Sequence, residues 1–414
     1  MEAPGRSSGQ APGPLPGYQA PYLWSCVLAT TTLSLLSVSE SAYIGVALAM
    51  ATFLVIHEVL RPLCTSFADL VELLYLAAAA GGRALVACLA RGLRPRFPEW
   101  TVTFDCFQAV VGSALAAKGR NLVRLPNAQI MRRNTELLGG LLGWISCLQH
   151  GMKLQSFHYR GLRHFWLHPS TSQADTPTTR QITVLYLHGG GYAVLCPRFY
   201  VDFCSRLLYQ LRIQQQGNQF AFRVLLADYR KLPEHSFPAP MDDVAAMYDY
   251  LVTTCQVAPQ NIVLAGDSAG AGLVLATLRR LQEAGKQLPL GAICASPMID
   301  WPGKDDTSAH CFVQPPLLTG IRDFSRASSA ASDEVRSLHF DLKGLPPMLV
   351  QTGDKDLLHH QAHRLAIKAR ADGVEVQLDT HVNMPHVFSA SVFMPAGELG
   401  VAKMATFILQ LLQE

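Results

Sequence analysis

The chain has 414 residues, 16% of them charged, and a formal net charge of +3. This length allows one large α/β domain together with a smaller part. Because the charge is weak and no basic run carries interleaved aromatic residues, nucleic acid is excluded as an expected partner. The ten cysteines are scattered without a C-x-x-C pair. We interpret them as small apolar core residues and not as a disulfide framework or a zinc site.

The first 60 residues divide into two parts of different composition. Residues 1–20 hold four prolines and four glycines and are expected to form a disordered tail. Residues 21–56 contain Glu40 as their only charge, and each uncharged run beside it approaches the roughly 20 apolar residues that cross a bilayer. Residues 21–60 are therefore predicted to be a transmembrane hairpin or anchor. A buried helical hairpin of a soluble protein is the alternative.

The next segment, residues 61–150, is predicted to form amphipathic or cap helices. Residues 70–90 are apolar but include Glu72 and Arg83, which favours an interfacial helix over a third membrane span. Three arginines follow directly, and the positive-inside tendency places that end in the cytosol. Apolar residues at helical spacing around Leu141 indicate further helices, either a cap over an active site or plain core helices.

From residue 182 onward strands alternate with helices, which is typical of a mostly parallel sheet covered on both faces. The predicted strands are 182–187, 222–227, 261–265, 291–296, 348–352 and 374–378, preceded by strand-like alternation at 157–167 and a polar loop at 168–181. The predicted helices are 198–213, 242–254, 273–280, 360–371 and 402–412. The predicted fold class is therefore α/β, with a catalytic domain at 151–414.

A G-x-S-x-G pattern, residues 266–270, connects one predicted strand to the next helix. Such a tight turn lifts the Ser268 hydroxyl clear of the backbone and directs the helix N-terminus at the reacting centre. The five-residue pattern alone is equally compatible with an ordinary glycine-rich turn. The strand before it and the helix after it favour a nucleophile.

A second glycine-rich stretch, His188–Gly189–Gly190–Gly191–Tyr192, follows the strand predicted at 182–187. Successive glycines let backbone N–H groups converge on one point, as an oxyanion hole requires. A phosphate-binding loop is the rival, but the G-K-[ST] ending and the G-x-G-x-x-G spacing of such loops do not occur here.

Three motifs now occur in a fixed order: H-G-G-G-Y, then D-Y-R-K-L-P-E-H-S-F-P-A-P-M-D-D at 228–243, then G-D-S-A-G. This combination resembles the hormone-sensitive-lipase branch of the α/β-hydrolases, which includes arylacetamide deacetylases and many carboxylesterases. The resemblance runs from about residue 154 to the C-terminus. It implies an α/β-hydrolase fold with a helical cap, ester substrates, and a Ser-Asp-His triad in that chain order.

The resemblance also places the other two triad members. The family's G-x-x-D-x-L motif matches residues 353–357 and assigns the acid to Asp356, with Asp354 as its competitor. The family's H-G-F motif resembles His386–Val387–Phe388 and assigns the base to His386, although a valine replaces the glycine. His381 is the rival base.

The predicted oxyanion hole comprises Gly189, Gly190, Gly191 and Ala269, with Gly189 supplying the turn, while Asp267 and Tyr192 are expected to line the pocket. No cofactor and no metal are expected. His359 and His363 stand at i, i+4 spacing but are interpreted as a solvated helix face, since no carboxylate follows at metal-site spacing. The charges within 228–243 are interpreted as structural, in a loop packed beneath the glycine run.

The sequence therefore predicts a membrane-anchored serine esterase, lipase or deacetylase that acts on lipophilic acyl or acetyl esters. Its expected location is a membrane, the endoplasmic reticulum in particular. A ligand receptor that keeps this fold, as gibberellin receptors do, is one alternative, and a membrane scaffold is another. Because both Ser268 and His386 are present, the enzyme is favoured over both.

Overall fold

The computed structural model describes residues 57–170, 180–215, 219–301, 303, 306–328, 330–391 and 394–413. The tail predicted at 1–20 lies outside these ranges, as do all but the last four residues of the anchor predicted at 21–60 and most of the polar loop predicted at 168–181.

The described part of the chain is built on an eight-stranded sheet with the order β1-β2-β4-β3-β5-β6-β7-β8. The strands are β1 Met152–Tyr159, β2 Leu162–Pro169, β3 Arg180–Leu187, β4 Phe220–Ala227, β5 Ile262–Asp267, β6 Gly291–Ala295, β7 Met348–Gly353 and β8 Val376–His381. Strand β2 pairs antiparallel with both β1 and β4, whereas every later pair is parallel. All residues of β5, β6 and β7 are buried, as expected for parallel strands covered on both faces. The predicted α/β class is confirmed.

The α-helices cover both faces of this sheet and also make up the part of the described chain before β1. They are α1 Phe67–Ala90, α2 Val102–Lys118, α3 Asn127–His150, α4 Val201–Gln214, α5 Ala239–Asp249, α6 Ala269–Glu283, α7 Pro315–Ser328, α8 His359–Ala371 and α9 Pro395–Leu411. The apolar side chains of α4 and α9 belong to one core, and those of α5, α6 and α8 belong to the other. The sheet therefore separates two cores, and the second core continues into the N-terminal helices.

Helix α7 was absent from the sequence-based prediction, although it is central to the site. It packs on α2 and on the 3-10 turn Gly119–Val123, and Ile321 on α7 lies against Gly191. Its apolar residues Leu317, Leu318, Ile321 and Phe324 recur at helical spacing, so the sequence did carry a local signal for this helix. Helix α9 begins seven residues earlier than predicted, since Pro395 occupies its first turn, where a proline costs no hydrogen bond.

Helix α1 is the one helix in the described ranges that is long and apolar enough to cross a bilayer, judged by length and composition. One side of it is nevertheless attached to protein: Leu70, Leu73, Ala80, Ala84 and Cys88 are buried, and α1 packs along α2. Lys118 on α2 forms ion pairs with Asp69 and Glu72 of α1, at 2.7 and 2.8 Å. Helix α1 is thus joined to the folded domain by one apolar and partly charged face.

Candidate active site

Ser268 lies on the turn between β5 and α6, with φ 51° and ψ −119°. The two flanking glycines of the motif are required sterically. A Cβ on Gly270 would overlap the Leu187 carbonyl oxygen, and a Cβ on Gly266 would lie 2.6 Å from the backbone of Gly270. The turn therefore takes its sharp form because its neighbours lack side chains, and the serine stands at the N-terminus of α6.

His386 bridges Ser268 and Asp356. Its Nε2 atom lies 2.9 Å from the Ser268 Oγ atom, and its Nδ1 atom lies 2.9 Å from the Asp356 Oδ1 atom. An ionised carboxylate only accepts hydrogen bonds, so Nδ1 carries the proton and Nε2 is free to accept one from Ser268. The structure thus brings together the three residues that the sequence assigned to the triad, at hydrogen-bonding distance and buried.

Asp356 is held as an anion by its surroundings. Burial alone would raise the pKa of this carboxyl, but the neighbouring His386 and hydrogen bonds from His386, Ser296 and the Leu358 N–H outweigh burial and lower the pKa. The Ser296 hydroxyl also accepts the Val387 N–H at 2.8 Å. Ser296 thus positions both the acid and the loop of the base. Sequence analysis missed this residue, whose one signal is its place at the carboxyl end of β6, beside the nucleophile strand.

The two rival residues have other partners. The Asp354 carboxylate accepts the Asn383 N–H at 2.6 Å and pairs with Lys355. His381 pairs with Asp379 at 2.8 Å on β8. Both residues stabilise the loop that carries His386, and neither contacts Ser268 in the described structure.

Val387, which stands where the family has glycine, keeps a glycine-like backbone. Its φ is 49° and its ψ is 41°, a left-handed conformation that is unfavourable for a β-branched residue. The hydrogen bond to Ser296 and the burial of Phe388 hold it there. Val387 therefore stores backbone strain directly beside His386.

The glycine run after β3 forms an open backbone cradle. Gly190 and Gly191 have φ values of 102° and 62°. A Cβ on Gly190 would overlap the Val194 carbonyl, and a Cβ on Gly191 would overlap Ile321. Within the described ranges no residue accepts a hydrogen bond from the N–H groups of Gly190, Gly191 or Ala269. These three donors match the requirement for an oxyanion hole.

Gly189, which the sequence-based prediction included in the oxyanion hole as the residue that supplies the turn, is not one of these donors. Its N–H already donates to the Asp267 Oδ1 atom at 2.9 Å. Tyr186 and Tyr200 also donate to this carboxylate, each at 2.8 Å. Asp267, the residue before Ser268, is thus hydrogen-bonded to Gly189, the residue before the oxyanion glycines.

Asp267 and Tyr192 were expected to line the pocket, and both side chains are buried. Tyr192 packs edge-on against Phe237. Burial raises the pKa of Asp267 above its ordinary value, against the opposing effect of the two tyrosine hydrogen bonds. Tyr186 lies on β3 and Tyr200 lies on the turn before α4. Nothing in the sequence indicates that both contact Asp267, and both were therefore missed.

The loop at 228–243 packs beneath the glycine run, and its charges have structural partners. The Tyr229 hydroxyl donates to the His188 carbonyl at 2.8 Å, and the Leu232 N–H donates to the Tyr192 carbonyl at 2.9 Å. The charged side chains form the ion pairs Arg230–Asp243, Lys231–Asp228, Arg132–Glu234 and Arg280–Asp242. These contacts favour the structural interpretation of the motif.

Helix α8 carries the histidine pair noted in the sequence. The rings of His359 and His363 lie 4.2 Å apart between centroids. His359 contacts the Gly353 carbonyl at 3.0 Å, and His363 contacts the Thr380 hydroxyl at 3.3 Å. The part of the chain that the structure describes brings no group of three or more His, Cys, Asp or Glu side chains together at metal-binding spacing.

Comparisons with known proteins agree with this architecture. A family model described as an alpha/beta hydrolase fold matches residues 184–390, half of the chain. An acetyl-hydrolase of Streptomyces hygroscopicus is 36% identical over 213 residues, which cover 50% of this chain and 68% of the relative. Esterase LipU of Mycobacterium tuberculosis is 32% identical over 224 residues, 51% of this chain and 71% of that protein.

The solved structures that resemble the chain include an esterase from the bacterial hormone-sensitive lipase family. It superposes with a TM-score of 0.59 at 28% identity, covering 73% of this chain and 97% of the esterase. The matched region contains the glycine run, the 228–243 loop, the nucleophile turn and both loops that carry Asp356 and His386. The chain therefore belongs to the α/β-hydrolase family, in its hormone-sensitive-lipase branch.

Proposed function

We propose that this protein hydrolyses carboxylic esters through Ser268, His386 and Asp356. As a member of this branch it is a serine ester hydrolase, and the observation that carries the residue assignment is the position of His386, 2.9 Å from both partners. The complete triad also favours an enzyme over the receptor and scaffold alternatives, because neither of those needs a base beside the serine.

The proposed reaction has two halves. His386 Nε2 accepts the Ser268 proton while Ser268 Oγ attacks the ester carbonyl carbon, and the oxyanion is bound by the N–H groups of Gly190, Gly191 and Ala269. The protonated imidazole then donates to the leaving alcohol, so that an acyl-enzyme remains. A water molecule that loses its proton to His386 attacks the acyl carbon, and collapse releases the acid and restores Ser268.

The substrates proposed are acetyl or other short acyl esters of lipophilic alcohols. One relative is named an acetyl-hydrolase and another an esterase. Ile321 of α7 is buried against Gly191, and we expect it to favour short acyl groups beside the oxyanion cradle.

We further propose that residues 21–56 anchor the enzyme in a membrane and that 61–150 contribute the cap. Residues 21–56 are apolar with one charge, as an anchor requires. The ion pairs of α1 with Lys118 favour an interfacial helix over a spanning one. The relatives named above give no support to the endoplasmic reticulum.

The test is covalent labelling with a fluorophosphonate together with hydrolysis of a water-soluble acetate ester. The parent protein should take up one label per chain, and Ser268→Ala should take up none and lose at least about a thousandfold in kcat. Ser389→Ala, a buried serine near the catalytic loop, is the matched control and should label normally. Labelling that survives in Ser268→Ala would contradict the assignment.

A further inference from the structure

Helix α3, Asn127–His150, is seated tightly on the catalytic domain by one face. That face consists of small residues, including Gly139 and Gly143. A Cβ on Gly139 would lie 2.6 Å from the backbone of Arg198, and a Cβ on Gly143 would lie 2.8 Å from Val201. Since Arg198 and Val201 belong to the turn and helix that follow the oxyanion glycines, α3 and the active site share one rigid frame.

The opposite face of α3 is apolar and exposed. Its large side chains recur at helical spacing along three turns: Leu137 68% exposed, Leu138 47%, Leu141 57%, Trp144 62%, Ile145 37% and Leu148 66%. No residue from 137 to 149 is charged. Single exposed apolar residues are ordinary, whereas a continuous stripe of six marks an interaction surface.

The first described residues of the chain lie next to the beginning of this stripe. The Glu58 carboxylate accepts a hydrogen bond from Arg133 at 2.6 Å, and the Glu58 carbonyl accepts one from Asn134 at 2.7 Å. Arg133 and Asn134 lie one helical turn before Leu137 and Leu138. The uncharged run 41–56 therefore joins the described structure next to the first residues of the stripe.

Covering the stripe with this run would not remove the exposed apolar surface. Residues 41–56 contain no charge, and Ser41, Tyr43 and Thr52 are their only polar side chains. A helix that covers a stripe on a protein in water needs a polar outer face, whereas one that is apolar all round is enclosed by protein or lies in lipid. If residues 41–56 covered the stripe as a helix, the outer side of that helix would itself have to face protein or lipid.

We propose that the exposed face of α3 lies against the lipid bilayer, in the interfacial plane, next to the point where the anchor enters it. A helix with an apolar stripe, an exposed tryptophan and charged residues before the stripe has the composition of interfacial helices. This inference adds to the membrane anchor proposed above a second contact, made by the folded domain. Because α3 is rigidly seated, the contact fixes the orientation of the catalytic domain relative to the bilayer.

The test uses the full chain in phosphatidylcholine vesicles, with and without bromine atoms on the lipid acyl chains. Bromine quenches a tryptophan that it touches, and the five tryptophans are separated by difference between the parent and single Trp→Phe variants. The Trp144 contribution should fall by about half or more in brominated vesicles, since an interfacial helix buries its apolar face among the upper acyl segments. The Trp301 contribution, from the loop after β6, should stay unchanged and serves as the control.

The outcomes separate this inference from the anchor. Trp24, in the run 21–39, reports the anchor by the same difference. If Trp24 is quenched and Trp144 is not, the anchor stands and the α3 surface is covered by another part of the chain or by another protein, which overturns the inference. If the protein does not float with vesicles at all, both proposals fail.

A kinetic measurement checks the same surface without fluorescence. The triple variant Leu137→Gln, Leu141→Gln and Leu148→Gln changes only exposed side chains and should keep the parent rate on a water-soluble acetate ester. On an ester dissolved in vesicles its rate should fall by about threefold or more, because the domain loses its contact with the bilayer. Ile367→Gln, an equally exposed residue on α8, is the matched control and should alter neither rate. Equal rates of the triple variant and the parent on the vesicle substrate would contradict the inference.

Discussion

Asp356 and Asp354 carry the same carboxylate two residues apart, but their contacts differ. Asp356 contacts His386, whereas Asp354 holds the Asn383 backbone. Asp356→Asn should lower kcat by roughly four orders of magnitude, because the amide stabilises the wrong imidazole tautomer. Asp354→Asn should cost less than about tenfold in kcat, since it weakens a loop contact only. Steady-state kinetics on one soluble ester with a melting curve for each variant will decide, and a reversed order would show that the acid is misplaced.

Asp267 combines a positioning role with a stability cost. Its pKa is raised by burial, so the folded protein holds a proton there more readily than the unfolded chain does. Stability from this group is therefore present at low pH and is lost as pH rises through the folded pKa. At neutral pH and above, Asp267→Asn should remove the cost of a buried charge while its amide still accepts the Gly189 N–H.

We therefore expect the melting temperature of Asp267→Asn to exceed that of the parent, by a larger margin at pH 8 than at pH 5. Asp267→Ala removes the bond to Gly189 and should lower kcat by about a hundredfold with a smaller change in KM, as expected for a damaged oxyanion hole. Thermal melts at both pH values and kinetics of both variants provide the measurement. A melting difference that shrinks from pH 5 to pH 8 would mean that the carboxylate is stabilised in the fold.

At the scale of secondary-structure elements, the N-terminal part contacts the loop that carries His386. Trp100, just before α2, donates its indole N–H to the Asn383 carbonyl at 2.6 Å. Trp100 and Phe104 pack in one apolar cluster with Met384 and Phe388, which flank His386. The N-terminal part thus contacts the loop of His386 directly.

Trp100→Ala should consequently lower kcat on a small soluble ester by about tenfold or more, since a cavity beside the His386 loop lets the imidazole move away from Ser268. Phe107→Ala, a partly exposed aromatic residue on α2, is the control and should have little effect on kcat. Kinetics on the two variants will check this. Equal losses in both would mean that Trp100 acts only through overall stability.

Elements that are marked by a few consecutive residues could be predicted from the sequence. The glycine run, the nucleophile turn and the buried strand β5 each carry their pattern in a few consecutive residues, and the structure has them at the predicted places. The contacts of Trp100 with Asn383, and of Ser296 with Asp356, join residues far apart in the chain. No periodicity encodes such pairs, so they became visible only in the folded structure. Helix α7, in contrast, was missed although Leu317, Leu318, Ile321 and Phe324 give it a local helical period.

On the scale of the whole molecule, the candidate catalytic residues and the proposed anchor lie in separable parts of the chain. The triad and the oxyanion glycines all follow residue 187, and they are supported by helices that begin at residue 67. The clean apolar run ends at residue 56, just before Glu58 attaches to α3. A cut between residues 56 and 57 therefore removes the proposed anchor and spares every described contact of the domain.

Removing residues 1–56 should release the enzyme from membranes washed with alkaline carbonate, because a spanning segment is held by apolar burial and not by charge. Its kcat on a soluble acetate ester should stay within about twofold of the parent, since such a substrate reaches the site without a membrane. Removing residues 1–126 should abolish activity, because the cut strips Trp100 from the His386 loop and exposes the apolar core beneath α2 and α7.

Both truncations are assayed by carbonate extraction, ester hydrolysis and flotation with vesicles. The protein that lacks residues 1–56 still carries α3. It should therefore float with vesicles at neutral pH and be washed off by carbonate, as a peripherally bound protein is. Leu137→Gln, Leu141→Gln and Leu148→Gln in that truncation should abolish flotation, whereas Ile367→Gln should not. A full-length protein that washes off in carbonate would instead place residues 21–56 in the protein core, and the anchor would have to be abandoned while the ester hydrolase assignment remained.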